Sequence, residues 1–318
     1  MAKYRTHLPQ LDGGNFLTDS GFETTLVFHD GIELPCFAAF DLLKTIGGRN
    51  RTEQYYRKHA EIARKSGAGF ILESPTWRAS PDWGKKLGYN QTALRAANIE
   101  AIELMLELQR QFDRAQTPFV VSGNIGPRGD GYRPDSFMTV EEARDYHAWQ
   151  VAIFAETGAD FVSAFTMTYA NEATGIVFAA RDAGVPVVIS FTLETDGRLP
   201  SGQTLADAIA EVDAATAGYA AYYMINCAHP DHFDGVIDRD SPWARRILGL
   251  RANASRRSHA ELDAATELDP GDADELGGQY RQLANALPNL RVFGGCCGTD
   301  HRHVEAIAFQ CLKTRNAA

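Results

Sequence analysis

Short apolar runs rich in β-branched residues alternate along the chain with longer segments whose apolar positions recur every three or four residues. The runs predict strands at Phe16–Asp19, Gly69–Glu73, Phe119–Ile125, Asp160–Phe165, Val185–Phe191, Tyr222–Cys227, Ile247–Arg251 and Leu290–Gly294. Several are almost continuously apolar, Val185-Pro186-Val187-Val188-Ile189-Ser190-Phe191 most clearly, as parallel strands covered on both faces should be. The segments between them read as helices. Tyr55, Tyr56, His59, Ile62 and Ala63 share one face over Thr52–Gly67, with Gly67 as a stop. Leu94, Ala97, Ala101, Met105, Leu108 and Phe112 do the same between Gln91 and Ala115. Thr139-Val140-Glu141-Glu142 is a capping box opening a helix through Tyr146, Trp149 and Phe154. Further helices are expected over Asn171–Gly184, Thr204–Gly218, Asp274–Leu287 and Asp300–Lys313. Eight strand-then-helix units without a composition break imply an α/β protein whose residues 1–318 form a single (β/α)8 barrel domain. A doubly wound sheet is the alternative, because a strand count does not prove closure. The polar, Gly-rich stretch Ser255–Gly278 reads as a long loop after the seventh strand.

Composition narrows the class. The chain has 318 residues, 44% of them apolar and 23% charged, which is ordinary for a globular protein and excludes disorder. No run approaches 18 apolar residues, so no membrane helix is expected. The start, Met1-Ala2-Lys3-Tyr4-Arg5-Thr6-His7, lacks the apolar core of a secretory signal. A net charge of −10 without a Lys/Arg stripe argues against nucleic acid as a partner. Five cysteines, an odd and sparse count, suit a reduced, cytoplasmic protein better than a disulfide scaffold. The sequence is compatible with a homo-oligomer and does not select one.

The cysteines also carry the candidate chemistry. Functional groups of a barrel gather at the C-terminal ends of its strands. Cys227 ends the sixth predicted strand, and Cys296 and Cys297 follow the eighth within Gly294-Gly295-Cys296-Cys297-Gly298, so three thiols converge on one rim. Three cysteine ligands suit Zn²⁺, and an open fourth position marks a catalytic rather than a structural site. The flanking glycines permit the sharp turn that adjacent ligands require. A thiol entering the open position loses its proton in the field of the metal and becomes a thiolate near neutral pH, which is an alkyl acceptor. Buried free cysteines, a strained bond between Cys296 and Cys297, and a phosphate-binding glycine loop of a metal-free barrel lyase are the competing readings. Cys36 and Cys311 read as packed, structural residues, Cys311 on a helix face with Val304, Ile307 and Ala308.

Asn226-Cys227-Ala228-His229-Pro230 and Gly294-Gly295-Cys296-Cys297-Gly298-Thr299 resemble the homocysteine S-methyltransferase family, zinc-dependent (β/α)8 barrels that transfer a methyl group to a thiol. Asp19-Ser20-Gly21, Thr76 with Ala79-Ser80-Pro81, and Gly123-Asn124-Ile125-Gly126-Pro127 extend the likeness over nearly the whole chain. The resemblance implies Zn²⁺ held by Cys227, Cys296 and Cys297. It also implies Asp19 facing the acceptor pocket, with Thr76, Asn124 and Asn226 nearby. The implied reaction moves a methyl group from an onium donor, S-methylmethionine or S-adenosylmethionine, to a thiol such as homocysteine, giving methionine. One departure bears on the acceptor. Where the family carries a glutamate that helps bind the homocysteine amino group, this chain has Phe165, followed by Thr166. Either Glu23 or Glu194 substitutes from another strand end, or the acceptor is an amine-free thiol. After the seventh strand, Arg251 stands in a segment that also departs from the family, where it could meet a substrate carboxylate or form a rim ion pair.

Overall fold

Eight parallel strands pair in chain order and the eighth returns to the first, so the sheet closes. That closure decides against the doubly wound alternative: the fold is a (β/α)8 barrel of the α/β class. The structure, a computed structural model, describes residues 2–312 apart from Asp135. The first half runs β1 (Phe16–Leu17), α1 (Phe22–Thr24), α2 (Ile46–Lys65), β2 (Gly69–Glu73), α3 (Pro81–Lys86), α4 (Gln91–Phe112), β3 (Phe119–Ile125), α5 (Val140–Glu156) and β4 (Phe161–Met167). It continues with α6 (Ala170–Asp182), β5 (Val187–Phe191), α7 (Leu205–Thr216), β6 (Tyr222–Asn226) and α8 (Pro230–Phe233). The last elements are β7 (Ile247–Ala252), α9 (His259–Asp263), α10 (Ala273–Ala286), β8 (Val292–Gly295) and α11 (His301–Leu312).

Alternate strand residues point to opposite faces, and both faces are apolar. Phe16, Ile71, Val120, Phe161, Val188 and Tyr222 fill the barrel interior, while Leu17, Phe70, Leu72, Val121 and Ile189 pack outward against the helices. Local signals set the helix ends. The Thr139 hydroxyl accepts from the Glu142 amide at 3.2 Å and Glu142 accepts from the Thr139 amide at 2.8 Å, which is the predicted capping box. Gly67 and Gly184, just past α2 and α6, take left-handed φ values of 68° that a side chain would strain. Among the described residues no helix is long and apolar enough to cross a membrane.

The structure corrects several boundaries. β1 is only two residues long, and α2 begins at Ile46, before the predicted start, because the Thr45 hydroxyl caps it by accepting from Gly48 N at 3.0 Å. The stretch Ser255–Gly278 is not a plain loop: it holds α9, opened by a Ser258/Glu261 capping box, and the first turn of α10. The last predicted helix is present as α11; its expected final residue, Lys313, lies outside the described residues. Cys311 is buried as expected, but Cys36 is exposed, in a surface turn with φ of 56°.

Candidate metal and thiol site

β6 and β8 flank β7, with Asn226 opposite Arg251 and Ala252 opposite Gly295, so their C-terminal ends lie side by side. This register brings Cys227, Cys296 and Cys297 together, with ligand atoms all within 4.8 Å of one another. Cys227 and Cys296 lie in disulfide contact, their Cα atoms 5.4 Å apart, and Cys297 Sγ is 4.0 Å from Cys227 Sγ. The bond weighed from sequence joined the neighbours Cys296 and Cys297; the sulfurs that meet instead come from two strands separated by β7. Reduced, the trio suits a metal: Zn–S distances of about 2.3 Å in a tetrahedron set sulfurs about 3.8 Å apart. Burial pushes the Cys297 thiol up to about 11. A cation among the sulfurs reverses that preference and holds the thiolate form.

The backbone around the sulfurs is tightly specified. Cys227 adopts a left-handed φ of 53° directly after β6, an unusual conformation for a residue with a Cβ. Asn226, just before it, braces the rim. Its Oδ1 accepts from Thr166 N at 2.9 Å and from Ser190 Oγ at 2.6 Å, and its Nδ2 donates to Thr166 Oγ1 at 2.9 Å. Thr166 is itself left-handed, with φ of 64°, where the pairing of β4 with β5 shifts register. On the other side, a Cβ on Gly21 would lie 2.5 Å from the Cys296 carbonyl oxygen, so only glycine lets the two segments pack.

Arg251, at the end of β7, is buried beside the sulfurs. It donates to Asp19 Oδ1 at 2.7 Å, to the Ser20 carbonyl at 3.1 Å and to the Gly295 carbonyl at 3.1 Å. Its guanidinium carbon stands 5.1 Å from the centre of the Phe165 ring. Burial alone would lower its pKa, but Asp19 more than offsets this and the pKa is raised.

A cavity of about 810 Å³ opens above the cysteines, with Trp77, Arg78, Tyr132, Phe165 and Arg251 on its walls. That volume admits two small ligands at once. Two partners were not anticipated. Tyr132, on the loop after β3, lies 3.4 Å from Cys297 Sγ through its hydroxyl and stacks on His259 at 4.0 Å between ring centres. His259, the first residue of α9, reaches the Cys227 carbonyl through Nε2 at 2.7 Å and Glu194 through Nδ1 at 3.1 Å. The stretch Ser255–Gly278 thereby covers the site, and Leu262, Asp263 and Leu268 from it line the cavity. The sequence cues are an aromatic residue in Gly129-Asp130-Gly131-Tyr132 and a histidine behind a capping serine.

The family model described as homocysteine S-methyltransferase matches residues 16–311. The chain belongs to the homocysteine S-methyltransferase family. A selenocysteine Se-methyltransferase of Brassica oleracea var. italica is 21% identical, the match covering 96% of this chain and 91% of the relative. Homocysteine S-methyltransferase 3 of Arabidopsis thaliana is 24% identical over 93% and 89% of the two chains. Among solved structures, the metallated form of the homocysteine methyltransferase MmuM from Escherichia coli matches with a TM-score of 0.71 at 19% identity, covering 95% and 99%. The oxidized form of that protein reaches 0.73 at 20% identity, covering 94% and 97%. These structural likenesses show a shared fold.

Membership of the homocysteine S-methyltransferase family makes the chain a methyltransferase and removes the lyase alternative. Of the residues that motif and resemblance singled out, Glu23, Asn124, Asn226 and Arg251 reach the cavity wall with the three cysteines. Asp19 and Thr76 stand behind it. Asp19 is buried against Arg251, and the Thr76 hydroxyl donates to the Asn124 carbonyl at 2.7 Å. The Asn124 Oδ1 is buried and has no partner among the described residues.

Proposed function

We propose that the reduced chain is a zinc-dependent S-methyltransferase that moves a methyl group from an onium donor to a thiol, homocysteine being the leading acceptor and methionine its product. The convergence of three cysteine sulfurs on the floor of a cavity large enough for both substrates carries this reading. Cys227, Cys296 and Cys297 would hold Zn²⁺, which supplies the positive charge that lowers an acceptor thiol's pKa to the neutral range. The chain's own residues do the rest. Asn226 and Gly21 fix the turns that present the sulfurs, and Tyr132 with the covering α9 segment limits water. The cavity's size lets donor and acceptor sit in line, which turns a two-body reaction into a positioned one. Glu33, Asp263 and Glu267 add negative charge to its outer wall, and this favours a cationic donor such as S-methylmethionine or S-adenosylmethionine. A reduced trio also supports a cytoplasmic setting.

A second acceptor class has an observation of its own. Phe165 stands where a glutamate would pair with the amino group, which favours an amine-free thiol. The test is metal analysis of protein purified with reductant and without chelator, followed by a panel of thiols assayed with both donors. Near-stoichiometric zinc, lost in Cys227→Ala together with methyl transfer, is the expected result. Methyl transfer by metal-free protein refutes the proposal.

A further inference from the structure

Resting on that methyl-transfer reading, we propose that Glu23 is the carboxylate that receives the ammonium group of an amino-thiol acceptor, a role moved from the end of β4 to the turn after β1. Other carboxylates line the cavity, but Glu33, Asp263 and Glu267 are exposed on its outer wall, Asp130 pairs with Arg78 at 3.7 Å and Asp269 accepts from Ser255 Oγ at 2.7 Å. Three more stand at the strand ends. Asp19 is taken by Arg251 at 2.7 Å and lies behind the cavity wall. Glu194 is taken by His259 at 3.1 Å and does not reach the wall. Glu73 points into the barrel interior, where Ser163 Oγ donates to it at 2.6 Å. Glu23 differs from all three. It lies on α1, directly after β1, on the wall of the cavity that also exposes Cys296 and Cys297. No side chain of the described residues forms an ion pair or hydrogen bond with it.

The end of β4 is closed to an ammonium for a second reason. The face of an aromatic ring can hold a cation, but Arg251 already stands over Phe165 at 5.1 Å. Its charge repels a second cation there, so recognition of an amino group must come from elsewhere on the wall. Glu23 is suited to the task because a half-buried carboxyl without a side-chain partner is costly to ionise until a cation arrives. Burial, reinforced by the Asp19 charge and opposed by its own backbone amide, Arg251 and Arg78, pushes it up to about 7. An incoming ammonium would draw off that proton's competition and lock the carboxylate form. Phe165 and Glu23 are thus two halves of one exchange: a carboxylate lost from one strand end and gained at another.

The test uses reduced, zinc-loaded protein and two thiols of the same chain length, homocysteine and 4-mercaptobutanoate, which lacks the amino group. Binding is followed by calorimetry and methyl transfer by product formation. The intact protein should prefer homocysteine. That preference should fall about tenfold or more in Glu23→Gln, the range of a hydrogen bond to a charged group, and persist in Glu23→Asp. An unchanged preference in Glu23→Gln overturns the proposal, as does an intact protein that binds the two thiols equally. A Glu23→Gln effect confined to the KM of the donor also overturns it. Binding separates this outcome from failure of the wider reading: a protein that discriminates the thiols yet methylates neither is no methyltransferase of thiols, while Glu23 still reads the amine.

Discussion

Asp19→Asn should be among the most destabilising single changes near the site. The substitution keeps shape and removes the charge that faces Arg251 at 2.7 Å, leaving a buried guanidinium with neutral partners only, the amide oxygen at position 19 and the carbonyls of Ser20 and Gly295. Breaking a buried ion pair from one side costs about 3–5 kcal/mol, and the neutral acceptors that remain argue for the lower end, about 3 kcal/mol. Unfolding entropy of about 2.1 cal/mol/K per residue, over 318 residues, gives about 0.67 kcal/mol per degree. The melting temperature should therefore drop about 4–5 °C, read by thermal denaturation of reduced protein. Arg251→Met in the same chain should recover at least half of this loss, because an apolar chain can pack on Phe165 without needing a counter-charge. A drop under about 1 °C for Asp19→Asn, or strictly additive losses in the double variant, would show that Asp19 does not hold Arg251. Asp19 would then be free for the substrate role that the family resemblance implies.

Other outcomes follow from the same geometry. Tyr132→Phe removes the hydroxyl 3.4 Å from Cys297 Sγ and keeps the ring stacked on His259. Zinc release to a chelator should quicken about tenfold or more, with little change in melting temperature, and unchanged release would discount the contact. Glu73→Gln should alter the pH dependence of stability. Burial lifts the Glu73 pKa from an ordinary 4.5 to about 7, so the folded state binds the proton more tightly than the unfolded one. The stability of the wild type relative to the glutamine variant should fall as pH rises from 4.5 to about 7, by up to on the order of 3 kcal/mol. Urea denaturation across that range checks it; parallel curves for the two proteins would refute the assignment.

Much of the barrel could be read along the chain, because eight buried strands leave nearly unbroken apolar runs and capped helices leave a 3.6-residue period. Thr139 and Glu142 mark their helix start by side-chain chemistry alone. What escaped depends on contacts between distant segments. Thr166 looks like a strand residue, and only its bonds to Asn226 show why it turns left-handed. Tyr132, His259 and Glu194 meet across three loops with no periodicity to betray them. Cys36 and Cys311 are equally plain in sequence, yet one faces solvent and the other the core, because a single apolar neighbour pattern does not tell a surface turn from a packed helix face. Similarly, Arg251 was legible as a choice between substrate and ion pair. The carboxylate of Asp19 occupies it, and that choice is made by strands at opposite ends of the chain.

The Asn226 brace makes two neighbouring tasks inseparable. One amide ties the backbone that follows Phe165 to the residue that precedes Cys227. A chain that drifts at the fourth strand to accept a new thiol therefore disturbs its own sulfur ligand, and any activity lost at residue 165 has to be divided between poorer fit and poorer metal retention. The short turn after β1 is tied to the other ligand segment, where Gly298 N donates to Thr24 Oγ1 at 3.3 Å and Gly21 packs on the Cys296 carbonyl. A change at either place therefore reaches a sulfur ligand, and a laboratory search for altered thiol preference should read metal content beside activity at both.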